Sequence, residues 1–163
     1  MNLTIKNTLT KKDYINASFA ILISRPIFKI VIGFVILGIS FPILTSLFNN
    51  KTFLLDELIP PVIFLILFFV FIYYQISKSF ATNRRASEDI QYTFEEDVLI
   101  IKGETFSASF TLDKLVKVTK TNHWLLIWQT KQSANIIPLD KISNDQLNEI
   151  KKHLDWHKVK NNL

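Results

Sequence analysis

His153 and His157 are the first residues to weigh as chemistry. Four apart on a helix, two imidazoles share one face, a spacing that can chelate zinc. Leu154 stands where a metalloprotease carries its glutamate, so the pair lacks a base, and His123 is the one other imidazole in the chain. Acidic residues are scattered at turns, the densest run being Glu95-Glu96-Asp97, with no Asp-rich metal loop. Glycine occurs three times, at Gly33, Gly38 and Gly103, which leaves no glycine-rich phosphate loop and no Gly-x-Ser-x-Gly elbow. Cysteine is absent, which excludes disulfides, thiolate catalysis and cysteine-ligated zinc or iron. These residues predict a chain that is not an enzyme and carries no cofactor or metal.

Two surfaces remain as candidates for binding. Anionic headgroups are held by clustered Lys and Arg through charge-assisted hydrogen bonds. Here the mouth of the first predicted hairpin carries Glu95, Glu96 and Asp97 instead, which disfavours phosphoinositide-type recognition. Lys114, Lys117 and Lys120 read mainly as solvated charge. The second surface is residues 124–128, where Trp124, Leu126 and Trp128 face one side of a strand and Leu125 and Ile127 the other. Both faces are apolar, so something must cover the second. The choices are the chain's own N-terminal segment, the membrane surface, a second copy or another protein.

These candidates hang on two apolar arms. Residues 30–48 and 59–76, of 19 and 18 residues, contain no charge. As helices each would be about 27 to 29 Å long at ~1.5 Å per residue, close to the ~30 Å hydrocarbon thickness of a bilayer. The arms therefore predict a membrane-spanning helical hairpin. Neither contains an Asp, Glu, Lys, Arg or His of the sort that marks a conduction or proton path. Gly38, Pro42 and Thr45 share one face of the first arm, and Phe64, Phe68 and Phe71 supply a ridge on the second, suited to hairpin packing or dimerisation.

Charge sets the orientation. The net charge of +5 divides as +4 before the hairpin, −1 in its connecting turn and +2 after it. Lys6, Lys11, Lys12, Arg25 and Lys29 precede the first arm and Lys78, Arg84 and Arg85 follow the second, whereas the turn has Lys51 against Asp56 and Glu57. The positive-inside rule places both ends in the cytoplasm and the protein in the cell membrane. Lys11, Lys12, Arg25, Lys29, Lys78, Arg84 and Arg85 become candidate membrane-surface contacts, with Tyr73 and Tyr74 as headgroup-level aromatics. Because most of the excess positive charge flanks the membrane, it gives no ground for nucleic-acid binding.

In chain order, residues 2–9 alternate as a short strand, and Thr10 with Asp13 caps a helix to about Ser24 that ends before Pro26. That helix has a broad apolar side and reads as lying on the membrane interface or packing on the cytoplasmic domain. Residues 77–89 form a polar linker. From Ile90 the period becomes two, giving a three-strand meander over 90–112 reversed at Gly103, a second hairpin over 115–129, and a sixth strand at 135–138. Ser143 and Gln146 form a capping box for a last helix with apolar Leu147, Ile150 and Leu154. The expected division is 1–29, a hairpin over 30–76, a linker over 77–89 and a cytoplasmic α+β domain over 90–160.

The T-K-K-D-Y opening at Thr10 to Tyr14, the Y-x-F-E-E-D hairpin at Tyr92 to Asp97, the L-x-K-V segment at Leu115 to Val118 and I-I-P at Ile136 to Pro138 resemble the YcxB-like family of bacterial membrane proteins. The resemblance covers nearly the whole chain. It implies a pleckstrin-homology-like sheet of six or seven antiparallel strands, forming a partial barrel capped by the C-terminal helix. Six strands are counted in the domain, so the 2–9 strand either completes the sheet or one strand is missing. The resemblance transfers no catalytic residue. The expected function is a membrane-anchored interaction or regulatory module with the bilayer, and a protein partner or second copy, as its partners. The alternative is a self-protection protein, of the bacteriocin-immunity type, guarding its producer's membrane.

Overall fold

The structure is a computed structural model that describes residues 3–49 and 55–163. Lys51 of the connecting turn lies outside the described residues. The chain divides into two compact units, one formed by Met1–Ala17 with Thr82–Leu163 and the other by Ser18–Ala81. The first unit is therefore discontinuous in sequence, and it reaches well beyond residues 90–160.

Among the described residues that unit holds seven strands in two antiparallel sheets. The first sheet is ordered β1 (Leu3–Thr8), β2 (Asp89–Phe94), β3 (Val98–Lys102) and β4 (Ser107–Thr111). The second is ordered β5 (Lys117–Lys120), β6 (Trp124–Trp128) and β7 (Ala134–Pro138). The N-terminal strand does join the sheet: β1 pairs with β2 from Leu3↔Phe94 to Thr8↔Asp89. Alternation explains why. Leu3, Ile5 and Asn7 are buried while Thr4, Lys6 and Thr8 are exposed, so one face of β1 extends the apolar face of β2.

The core lies between the sheets and the C-terminal helix α4 (Asn144–Trp156), with Phe94, Leu99, Leu125, Ile137, Ile150 and Leu154 fully enclosed. The capping box is formed, since Ser143 Oγ accepts from the Gln146 amide and the Gln146 side chain accepts from the Ser143 amide. The helix ends in a Schellman arrangement: the Val159 amide donates to Leu154 O and the Lys158 amide to Asp155 O, with Lys158 at φ 55°. Val159 and Leu154 are both in the core, the apolar contact that accompanies this motif. The chain then runs along the edge of β5, where Val118 bridges Asn161 in parallel and the Lys120 amide donates to Asn162 Oδ1.

The second unit is built on two 24-residue helices, α2 (Pro26–Asn49) and α3 (Ile59–Thr82). Both are long and apolar enough to cross a membrane, and none of α3 is buried inside the chain. They run antiparallel: Phe28 stacks on Phe68, while further along Gly38 meets the Pro61 side chain. The predicted phenylalanine ridge is present in part, Phe64 stacking on Phe68 at 6.0 Å. Within α2, Pro42 cannot donate to Gly38 O, and the Thr45 hydroxyl donates back to the Phe41 and Pro42 carbonyls.

Helix α1 (Lys11–Ser24) runs across the boundary between the units. Its N-terminal pair is formed as expected: the Asp13 amide donates to Thr10 Oγ1, and the Asp13 carboxylate accepts from the Thr10 amide and hydroxyl. Its buried residues Ile15, Ala17 and Ile21 do not fall on one clean stripe, because Ala17 lies two residues, a little over half a turn, from Ile15.

Candidate functional site

The structure brings together two features whose contacting residues are 61 apart in sequence, the acidic β2–β3 turn and the histidine pair at the end of α4. The turn is closed by the Glu95 amide on Val98 O, which leaves Glu96 and Asp97 at its tip. His157 caps the C-terminus of α4 and reaches that tip. Its Nε2 lies 2.9 Å from Glu96 O and 3.4 Å from Asp97 Oδ1. A carbonyl can only accept, so Nε2 carries the hydrogen and donates.

One turn earlier on the helix, Lys152 and His153 line the same cleft, and Trp156 forms its wall. The cleft has a volume of about 410 Å³ and is bounded by Glu96, Asp97, Lys152, His153, Trp156 and His157. Trp156 is 82% exposed. In the folded unit, the other large apolar side chain exposed among the described residues is Val116. The Schellman turn accounts for this placement. With Leu154 and Val159 locked in the core, the intervening Trp156 is turned outward. Trp156 is not among the residues the sequence singled out, because it lies off the Leu147-Ile150-Leu154 stripe. The available signal was its offset of two residues from Leu154, which puts it on the polar side.

Chemically the cleft offers an aromatic face and two carboxylates for a cation, and an ammonium and an imidazole for an anion. Among the described residues no three His, Asp or Glu side chains are placed to hold a metal ion, and of the two histidines His157 is the one whose ring makes a hydrogen bond in this cleft.

The other predicted residues are elsewhere. Trp124, Leu126 and Trp128 are 8%, 2% and 3% exposed, and Leu125 and Ile127 are fully buried, so both faces of β6 are covered and no indole of this strand is free. Trp128 Nε1 donates to Thr119 Oγ1, and the Lys117 ammonium sits 4.7 Å over its ring. Arg85 packs over Phe106 at 5.1 Å. Lys11, Lys12, Lys29, Lys78 and Arg84 are exposed, as are Tyr73 and Tyr74, while Arg25 is half-buried.

A second polar knot holds the β3–β4 turn. Glu88 is 4% exposed and accepts hydrogen bonds from the Thr105 hydroxyl and amide. These bonds, the hydroxyl first, hold its carboxyl below the usual carboxylate range. Burial pushes the Tyr92 phenol upward.

Compared with known proteins, the chain matches no family profile, no curated protein and no solved structure.

Proposed function

We propose that the chain is a membrane-anchored, non-enzymatic interaction and regulatory module, a two-span hairpin carrying a pleckstrin-homology-like domain on the cytoplasmic side, as in the YcxB-like family that its motifs resemble. The pairing of β1 with β2 carries this reading. β1 precedes the hairpin and β2 follows it, yet they join along their whole length. Strands on opposite sides of a bilayer cannot pair, so a hairpin inserted between them must leave and return on one side. The flanking positive charges then select the cytoplasm. Supporting the domain assignment are the division into four and three antiparallel strands and the helix that follows them.

The interaction role rests on Trp156. Among the described residues of the folded unit Trp156 is the most exposed large apolar side chain, and tryptophan is enriched among the residues that carry binding energy at contact sites. The experiment is a photo-crosslinking residue placed at position 156 in the full chain, irradiated in native membranes. A reproducible adduct that is absent when the crosslinker sits at exposed Ser109 supports the module. Equal, diffuse labelling from both positions refutes it.

A further inference from the structure

The cleft beside Trp156 is neither acidic nor basic; it is sorted. Glu96 and Asp97 lie on the turn side, Lys152 and His153 on the helix, and the exposed indole belongs to the same wall. A purely cationic partner would leave Lys152 opposed, and a purely anionic surface would face two carboxylates. A ligand bearing both charges satisfies every group. We propose that this cleft binds a phosphate–ammonium zwitterion of the phosphoethanolamine class.

In this arrangement the ammonium lies against the Trp156 ring, drawn by the negative face of the aromatic system. Its N–H groups donate to Glu96 and Asp97. The phosphate accepts from the Lys152 ammonium and the His153 ring, bonds made stronger by charge on both partners. His157 is a positioning residue: by donating to Glu96 O it fixes the turn against the helix end and sets the distance between the two charged halves. The same chemistry comes from two sources, the headgroup of a phosphatidylethanolamine bilayer or a free phosphoethanolamine-type compound.

The inference deepens the proposed interaction role by naming its occupant, and its test does not depend on the hairpin spanning a membrane. Of the three tryptophans, Trp124 and Trp128 are buried, so fluorescence changes on ligand addition report mainly Trp156. The full chain in maltoside micelles, titrated with phosphoethanolamine, should show a saturable shift in emission. Inorganic phosphate alone and ethanolamine alone should each bind at least tenfold more weakly. Glu96→Gln, and separately Lys152→Gln, should weaken phosphoethanolamine at least tenfold while leaving the circular dichroism and melting curve of the chain unchanged. To separate sources, the chain is reconstituted in phosphatidylethanolamine vesicles or in phosphatidylglycerol vesicles, which lack the ammonium. A blue shift confined to the former assigns the lipid. Saturable binding of the free compound with no such shift assigns a soluble ligand. The absence of both responses, or binding that survives the charge-removing variants, overturns the proposal.

Discussion

Gly103 is required for space and not for backbone freedom. No glycine in the described chain has positive φ, but a Cβ on Gly103 would run into the Phe106 ring and lie 2.7 Å from Glu88 Oε2. Gly103→Ala must therefore displace both the ring and the carboxylate, and should cost about 1–3 kcal/mol by overpacking, read as a lower urea midpoint of the detergent-solubilised chain. The neighbouring Glu88 gives a pH dependence with a definite sign. Its carboxyl is more acidic folded than unfolded, so its contribution is present above the unfolded pKa and lost as pH falls through the folded value. Glu88→Gln should flatten the acid limb of the stability–pH curve, and an unchanged limb would mean that the Thr105 contacts carry no linkage. Lys158 is the residue whose backbone is out of place, since an L side chain in the left-handed region costs about 1 kcal/mol. Lys158→Gly should raise the melting temperature without moving Trp156 emission.

At the scale of elements, local pattern was a good guide where burial alternates strictly. β1 to β4 and α4 follow from period-two and three-and-four spacing, and both capping pairs formed as their residue types demand. What no local pattern contains is partner choice. The alternation of residues 2–9 marks a strand, but that it lies beside Asp89–Phe94 depends on contacts some 80 residues away. The same limit applied to β6. Its doubly apolar sequence says that both faces are covered, not by what, and the rings of Trp124 and Trp128 prove to be buried. Trp128→Ala should thus act on stability, with a loss of about 3–5 kcal/mol seen as a large drop in the unfolding midpoint. A partner-binding strand would instead lose binding at unchanged stability. The cleft was half legible: its acidic turn and histidines stood out as residue types, and only the fold juxtaposes them.

For the whole molecule, the ordering of events follows from the topology. β2, β3 and β4 form a local meander, but β1 is separated from β2 by both apolar helices, so the four-stranded sheet closes only once the chain between them has turned back. In the proposed hairpin, antiparallel insertion of α2 and α3 would bring those ends together and remove much of the loop-closure entropy that would otherwise oppose the pairing. The proposed topology has the hairpin crossing a bilayer and the folded unit assembling on its inner side. The chain has no cysteine, so single cysteines can be introduced and labelled with a membrane-impermeant maleimide on intact cells and again after lysis. Cysteine at position 51 in the connecting turn should label on intact cells, whereas cysteine at the exposed positions 10 and 87 should label only after lysis. Labelling of position 10 or 87 on intact cells, or protection of position 51 until lysis, would contradict the account.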